Sequence, residues 1–472
     1  MRLGTETFKE NAEAALLNEG LQQRLHVLEG ITEKRHKAFS ELPDGEVLRD
    51  RARSIKEEVI LNLDRYLLRL EENVQRAGGM VHWARDAEEA RVIILELASK
   101  NGVQRVVKGK SMASEEIGLN EALELAGIEA VETDLGEYII QLSEETPSHI
   151  IVPAIHKSKE DISELFADKL DAGYLREAGE LTRFAREKLR EKFCTATMGI
   201  TGANFAVADT GTVVLVENEG NIRLSTTLPL IHVALMGIEK VIPTLRDLNV
   251  FLQVLARSAT GQKMTTYVSL LTGPRRKSET DGAEQFHLVL LDNGRTRILQ
   301  DKEKRESLYC LRCGACLNVC PVYTKIGGHA YGSVYPGPIG SIITPPLVGL
   351  QKSKDLPFAS SLCGACREVC PVKIDIPQVL LRLRNEWVEG QEGKSGGSAP
   401  FTERAAMRLW SFAMSHQRVY NLAFRLSSLL QLPLLKDGKI KRLPFALGGW
   451  TVNRDFPAVA RRSFHSLWRD IE

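Results

Sequence analysis

The chain has 472 residues, with 62 lysines and arginines against 61 aspartates and glutamates, and a hydrophobic fraction of 43%. This length gives room for two or three domains, and the near-zero net charge gives no overall electrostatic basis for binding nucleic acid. The first 20 residues lack the apolar run of a signal peptide, and no apolar stretch approaches the roughly 20 residues that span a bilayer. We therefore expect a soluble, cytoplasmic protein that has no transmembrane segment and does not bind nucleic acid.

The first 298 residues show two patterns. Residues 1–75 are rich in Glu, Lys, Arg, Leu and Ala, with apolar positions near helical spacing, which predicts a helical N-terminal arm. From 76 to 298, short β-branched runs alternate with amphipathic stretches, which is typical of an α/β domain with an open parallel sheet. The predicted strands are 105–107, 150–152, 205–208, 212–217, 266–271 and 286–291. The predicted helices of this domain are 87–99, 115–125, 161–171 and 245–259.

Three segments follow the α/β domain. Residues 299–388 hold seven of the eight cysteines and a Gly/Pro-rich bridge at 327–346, which is too irregular for a regular helix or strand and predicts a loop around a cofactor. Residues 389–400 contain four glycines and have the composition of a linker. Residues 401–472 carry twelve lysines and arginines against five aspartates and glutamates, interleaved with aromatic residues. We interpret this tail as a small helical region whose charges face solvent. The alternative is that it binds an acidic partner protein or, peripherally, a membrane surface.

The cysteines form two runs. Cys310, Cys313, Cys316 and Cys320, followed by Pro321, have the C-x2-C-x2-C-x3-C-P spacing of bacterial [4Fe–4S] ferredoxins, in which the fourth cysteine ligates the other cluster. Two residues between thiolates let three sulfurs converge on one cluster. Disulfides that stabilise a whole chain would be spread along it, so this clustering does not fit a disulfide framework. In a reducing compartment, clustered thiols indicate a metal site.

The second run matches the last three positions of the same motif. It consists of Cys363, Cys366 and Cys370, followed by Pro371, and Ser360 stands at its first position. If the ligands cross over, cluster 1 takes Cys310, Cys313, Cys316 and Cys370. Cluster 2 then takes Cys320, Cys363 and Cys366, and is one thiolate short.

The missing thiolate leaves three alternatives for cluster 2. It is a three-iron cluster, a four-iron cluster with an oxygen ligand from Ser360, Ser361 or water, or a cube with one exposed iron that binds substrate. We expect a [4Fe–4S] cluster 1, and for cluster 2 either a [4Fe–4S] cluster with an incomplete cysteine set or a [3Fe–4S] cluster. Zinc is the alternative metal, but seven thiols in two proline-terminated runs favour two nearby clusters.

Three residues outside the two runs bear on this site. Cys194 stands apart, and we expect a buried thiol without a redox role. His329 and Tyr331 lie in the glycine-rich bridge, where they either adjoin a cluster and tune it or serve only in packing.

Polar residues in the α/β domain suggest a small-ligand site. Asn204, Glu219 and Arg223 fall in segments at the ends of predicted strands, where ligands bind in open parallel sheets, although turn chemistry alone explains such residues equally well. The sequence Gly109-Lys110-Ser111 resembles the end of a phosphate loop, but Gln104 replaces the required glycine, so no phosphate loop is predicted. A dinucleotide fingerprint of the G-x-G-x-x-G type is also absent from the sequence.

The order of these features resembles one family. The α/β domain carries GITGANFAVADTGTVVLVENEGNIRLSTTLP, followed by CLRCGACLNVCPVY, GGHAYGSVYPGPIG, SLCGACREVCPV and the basic tail. Together they closely resemble the iron–sulfur B subunits of the bacterial lactate-utilization system. The resemblance implies a lactate-utilization (LUD) domain similar in fold to CoA transferases and sugar-phosphate isomerases, then a helical double-cluster ferredoxin domain. It also implies that the seven clustered cysteines are the ligands, and that two sibling proteins share in oxidising L-lactate to pyruvate.

We expect the chain to be an electron-transfer subunit of a lactate-oxidising complex, and not a complete enzyme alone. In a second hypothesis, the organic acid binds to the α/β domain itself, and its oxidation occurs beside the clusters. In a third, the clusters are structural and the chain is a scaffold.

Overall fold

The computed structural model describes residues 4–390, 400–452 and 454–471. These residues form two compact units, one that ends at Glu386 and one that begins at Trp387. The predicted linker at 389–400 lies almost entirely outside the described residues. The strands are β1 Met80–Ala84, β2 Arg105–Lys108, β3 Glu129–Glu132, β4 Met198–Gly202, β5 Phe205–Val207, β6 Thr212–Glu217, β7 Ile231–Gly237, β8 Val241–Ile242, β9 Tyr267–Leu271, β10 Gln285–Leu291, β11 Leu435–Lys436, β12 Lys439–Ile440 and β13 Phe456–Pro457.

The helices precede, separate and follow these strands. They are α1 Phe8–Leu16, α2 Glu19–Leu25, α3 Val27–Ser40, α4 Gly45–Leu61, α5 Leu63–Arg76, α6 Ala87–Lys100, α7 Met112–Ile117, α8 Leu119–Leu125, α9 Leu135–Leu142, α10 Lys159–Leu170, α11 Ala178–Thr195, α12 Asn221–Thr227, α13 Leu245–Thr260, α14 Arg295–Gln300, α15 Ala315–Asn318, α16 Tyr323–Ile326, α17 Gly337–Val348, α18 Ala365–Val369, α19 Ile376–Glu389, α20 Phe401–Ser415, α21 Gln417–Leu430 and α22 Phe464–Trp468.

A six-stranded parallel sheet organises the first unit. Its order is β1-β10-β7-β4-β2-β3, and the register sets Ile200 beside Val233 and Val233 beside His287. The inner strands β4 and β7 are almost wholly buried, because helices cover both faces of a parallel sheet. The α/β prediction is confirmed. All six carboxyl ends meet at one edge, which is where ligands bind in sheets of this kind.

A second sheet and the N-terminal helices complete the α/β region. The order of this sheet is β8-β5-β6-β9, with β6 antiparallel to both neighbours. Helix α13 packs on it, with the Phe251 ring 5.1 Å from that of Phe205. From the N-terminal helices, Val59 and Leu70 are buried in the same core. The helical prediction for this region holds, and these helices are part of the first unit.

Three local predictions were wrong. Residues 150–152 form a bend, in which the Ile151 and Val152 N–H groups donate to His149 Nδ1, because a β-branched run does not distinguish a strand from a buried loop. The predicted helix 115–125 is two helices, since Gly118 has a φ of +64°. The bridge contains helix α17, whose buried isoleucines override its low helix propensity.

The second unit begins within α19 and includes α20, α21, α22 and a small antiparallel sheet in the order β11-β12-β13. Every described residue of α20 and α21 is at least partly exposed, including Trp410 and Leu430. Within the part of the chain that the structure describes, no helix combines the length and apolar character needed to cross a bilayer.

Candidate metal centre and the cavity beside it

The structure brings four cysteines from the two runs together. Cys310, Cys313 and Cys316 surround the start of the short helix α15, and Cys370 follows α18. These four thiols line one small cavity. Its other walls are mostly apolar, with Ile339, Val372, Ile374 and Ile376. This is the group that the spacing assigns to cluster 1.

The remaining three cysteines form a second group. Burial, with the neighbouring Cys320 and Cys363, raises the pKa of Cys366 to about 12. Burial also raises the pKa of Cys320, with a smaller contribution from Cys363. Cys366 in turn contributes to the raised pKa of Cys316, so the two groups adjoin. Cys363 is exposed, whereas Cys320 and Cys366 are buried.

Backbone turns point N–H groups at three of the sulfurs. In the first run, Arg312 and Gly314 have φ values of +61° and +73°, left-handed conformations that curl the chain around the cavity. Hydrogen bonds of this kind stabilise thiolate and orient it toward a metal. The bonds run from Arg312 N to Cys310 Sγ (3.3 Å), from Tyr323 N to Cys320 Sγ (3.5 Å) and from Ile374 N to Cys370 Sγ (3.4 Å).

The donor chemistry fits an iron–sulfur cluster better than zinc. Burial, with the neighbouring Cys310, raises the pKa of Cys313 to about 12 and that of Cys370 to about 11. Such thiols ionise at neutral pH only when a cation shares the site. Among the described residues, no three cysteine sulfurs lie within 4.8 Å of one another. Tetrahedral zinc with Zn–S bonds of about 2.3 Å would bring its sulfurs to about 3.8 Å, whereas the corners of a cubane hold thiolates farther apart.

Buried cations surround the first group. Arg49 Nη2 donates to the carbonyl of Cys370 at 2.8 Å, and Arg35 Nη2 donates to that of Val369 at 2.6 Å. Lys240 Nζ lies 3.4 Å from the carbonyl oxygen of Cys310. A cluster with four thiolates carries net negative charge, and these side chains supply opposite charge in a region of low dielectric constant.

Ser360 lies in a turn of the same shape as that of Cys310. Leu362 and Gly364 have φ values of +55° and +86°, at positions that correspond to Arg312 and Gly314. The Leu362 N–H donates to Ser360 Oγ at 3.1 Å. The Ser360 hydroxyl therefore has the position in its turn that the Cys310 thiol has in the first run.

The three residues outside the runs have different surroundings. Tyr331 is buried, and the charge of the nearby Cys320 adds to burial in raising its pKa, so it adjoins the second group. His329 is exposed, with Nε2 2.6 Å from the carbonyl oxygen of Thr146. Cys194 is exposed on α11, so our expectation of a buried thiol was wrong; its neighbour Phe193 faces the core instead.

A larger cavity, of about 380 Å³, opens at the carboxyl ends of β2, β4 and β7. Lys110 follows β2, and Leu311 and Arg312 contribute to the wall from the loop that carries the first cysteines. Further polar groups in the lining are Asp134, Asn204, Glu217, Glu219, Glu239 and Lys240. The cavity and the four-cysteine group therefore share one loop.

Sequence reasoning identified only part of this lining. Asn204 and Glu219 face the cavity, but Arg223 is exposed outside it, with its backbone N–H donating to Glu217 in the first turn of α12. Lys110 was missed because no phosphate loop surrounds it. Arg312 was missed because it lies inside the cysteine motif, and that motif assigns a role only to its cysteines.

Comparison with known families agrees with this architecture. Residues 67–291 match the LUD domain model, residues 306–374 match the 4Fe-4S dicluster domain model, and residues 382–472 match the model for the C-terminal region of lactate utilisation protein B. A parallel α/β sheet followed by convergent cysteine groups thus defines an iron–sulfur protein with an LUD domain.

Within that class the relationship is close. The chain is 44% identical to lactate utilization protein B of Bacillus subtilis over 480 residues, covering 100% of this chain and 98% of the relative. It is 46% identical to the protein of that name from Shouchella clausii over 451 residues, covering 95% and 92%. The chain belongs to the lactate utilization protein B family. A crystal structure of a DUF162 family protein from Deinococcus radiodurans aligns with 48% of this chain and 98% of that one, at 14% identity and a TM-score of 0.26 that supports no statement about the fold.

Proposed function

We propose that the chain serves lactate utilization as the iron–sulfur subunit that carries electrons while L-lactate is oxidised to pyruvate. Its relatives are named for lactate utilization, and residues 306–374 match a dicluster domain. The observation that carries the proposal is the crossed group of cysteines, three from one run and Cys370 from the other, around a single cavity. Crossed ligand sets are typical of two-cluster ferredoxins.

In this proposal Cys310, Cys313, Cys316 and Cys370 hold a [4Fe–4S] cluster 1. The walls of the cavity, the N–H donors and the buried arginines support this assignment. Burial of Cys310, Cys313 and Cys370 also keeps water from their thiolates.

Cluster 2 takes Cys320, Cys363 and Cys366, with the Ser360 hydroxyl as its fourth ligand. The turn that Ser360 shares with Cys310 supports an oxygen ligand at this corner, and hence a [4Fe–4S] cluster in preference to a [3Fe–4S] cluster. The exposed Ser361 is the weaker candidate, because the matching position in the first run is Leu311 and not a cysteine.

Two adjoining clusters suit a two-electron oxidation. When bound, each cluster supplies one-electron redox chemistry, so a pair can pass on the two electrons of lactate one at a time. The neighbouring Cys316 and Cys366 link the two groups. Because Cys363 is exposed, we assign the second group to the end of the relay where a partner docks.

The rest of the chain supports this role. We propose that the α/β domain, at 76–298, shares the fold of CoA transferases and sugar-phosphate isomerases, and that the cluster domain extends over 299–388. The partners are the sibling lactate-utilization subunits, and we place the complex in the cytoplasm. The exposed apolar side chains and the excess of positive charge in the tail favour it as the segment that contacts a sibling.

Reconstitution under anaerobic conditions tests the proposal. We expect the isolated chain to reduce no dye with L-lactate, and the complete set of subunits to do so. Cys313→Ser and Cys366→Ser should each abolish dye reduction by the set, while the matched control Cys194→Ser, at the exposed eighth cysteine, should leave it unchanged. Robust dye reduction by the isolated chain, or full activity with both cluster variants, would overturn the proposal.

A further inference from the structure

We propose that the cavity of the α/β domain binds a short 2-hydroxy or 2-keto acid, with its carboxylate on Arg312 and with Lys110 as a second donor. This inference rests on the proposed function for the class of ligand, and on the cavity for the site. It concerns binding, and it assigns no redox step to the chain alone.

Two of the carboxylates in the lining, Glu217 and Glu239, already have fixed partners. Glu217 accepts two backbone N–H bonds, from Ile222 and Arg223, each at 2.8 Å. Glu239 Oε2 accepts from Arg295 Nε at 2.6 Å. The oxygens of these two carboxylates are therefore held by groups of the protein itself and do not point to a bound cation.

Two cations in the lining retain unused donors. Arg312 is 9% exposed, and its Nη1 and Nη2 make no hydrogen bond within the described part of the chain, although Nη2 lies 3.5 Å from Glu239 Oε1. Lys110 Nζ is also buried without a hydrogen bond to the described residues, 3.6 Å from Glu137 Oε1. Buried donors without acceptors are costly, so their presence in a cavity indicates an anion that supplies the acceptors.

Arg312 lines both the four-cysteine cavity and the larger cavity, but the backbone of the cluster turn does not require an arginine at this position. Leu362 occupies the corresponding position in the second run with nearly the same φ, so the backbone needs no arginine there. The Arg312 guanidinium lies 4.6 Å from the centre of the Tyr335 ring, and the Tyr335 hydroxyl donates to Glu116 at 2.6 Å. This support holds the planar guanidinium in place for bidentate binding of a carboxylate.

Because Arg312 lies between Cys310 and Cys313 in the chain, a ligand bound to it lies close to the cluster loop. An acid bound there adjoins the loop of Cys310 and Cys313. Oxidation of a 2-hydroxy acid removes two electrons and two protons. Because each cluster takes only one electron at a time, we assign the first, two-electron acceptor to a sibling subunit. The isolated chain should bind the acid without oxidising it.

Calorimetry on the anaerobic, cluster-loaded full chain tests the site, with L-lactate, pyruvate and inorganic phosphate as separate probes. We expect L-lactate or pyruvate to bind, and Arg312→Met and Lys110→Met each to weaken that binding at least tenfold. The control Arg85→Met, at a surface cation whose side chain is 86% exposed, should bind as the wild type does. Visible absorption shows whether each variant still carries its clusters. If Arg312→Met loses them, the affinity of Lys110→Met alone tests whether the cavity binds the acid.

Binding of neither acid to the wild-type chain would overturn the inference, as would wild-type affinity in Lys110→Met. Binding of phosphate alone would also overturn it, and would indicate a different ligand. None of these outcomes affects the electron-transfer test, which depends on the cysteine variants and on the complete set of subunits. A change in the electron paramagnetic resonance line shape of cluster 1 on adding L-lactate would place the ligand beside it.

Discussion

Ser360 has the same place in its turn as Cys310 has in the other: each side chain accepts a hydrogen bond from the backbone N–H two residues later, at 3.1 Å and 3.3 Å respectively. The residue that donates has positive φ in both cases. The two runs therefore form turns of the same shape, and differ in the atom, oxygen or sulfur, that the first residue of the turn presents.

We predict that removal of the Ser360 hydroxyl opens cluster 2. Ser360→Ala should convert it to a three-iron cluster, because an iron that loses its fourth ligand dissociates readily. The anaerobically purified, oxidised variant should show a near-isotropic three-iron signal in electron paramagnetic resonance, and Ser360→Cys should not. The ligand assignment is wrong if the wild-type chain already shows that signal at one spin per chain.

Arg295 should be important for stability. Its guanidinium donates to both oxygens of Glu116 at 2.8 Å and to Glu239, and all three side chains are at most 2% exposed. Arg295→Met leaves the buried Glu116 without its cation and removes the nearer cation of Glu239, and should lower the free energy of unfolding by about 3–5 kcal/mol. Urea denaturation followed by circular dichroism measures this change. Arg85→Met, which breaks only a surface pair with Glu89, should leave the midpoint close to that of the wild type, and equal midpoints for the two variants would refute the prediction.

Binding of the acid should weaken as the pH rises. Burial, with the nearby charge of Asp134, raises the pKa of Glu219 to about 7, and Lys110 and Glu217 also face it. Below that pH Glu219 is mostly neutral. Above it the carboxylate attracts Lys110 and repels an anion, so affinity for L-lactate should fall between about pH 6 and about pH 8.5.

Glu219→Gln is the matched variant for this pH dependence, and calorimetry should show a smaller loss of affinity in it. For stability the sign is the same: the neutral form of Glu219 favours the fold, fully below the ordinary carboxyl pKa, and this contribution is lost as the pH rises through about 7. An identical pH profile in wild type and variant would show that Glu219 does not face the bound acid.

The tail should carry a docking face for a sibling subunit. Leu422, Leu426 and Leu429 lie at helical spacing on α21, and are 59%, 48% and 63% exposed. Changing all three to Ser should abolish anaerobic co-purification with the siblings while the visible absorption of the clusters persists. Gln417→Ala with Ser427→Ala on the same helix is the control. If the triple variant keeps its siblings but no longer sediments with anionic vesicles, the tail contacts a membrane surface instead.

The cysteine spacing, with the crossover typical of two-cluster ferredoxins, predicted which four thiols line the small cavity. The cavity was less accessible to sequence reasoning, since Lys110 and Arg312 are far apart in the chain and come together only through the sheet and the cluster loop. The central strands β4 and β7 were not among the predicted strands. Residues 150–152 and helix α17 show the converse error, in which packing against the cluster region overrode local propensity.

The relay itself is tested most directly by rapid freeze-quench electron paramagnetic resonance. The complete set of subunits, with this chain in its oxidised form, would be mixed anaerobically with L-lactate and frozen within one turnover. We predict that signals of both reduced clusters of this chain appear within one turnover, together with pyruvate, and that Cys366→Ser removes the signal of the second. Clusters that stay oxidised while pyruvate accumulates would contradict a role in electron transfer.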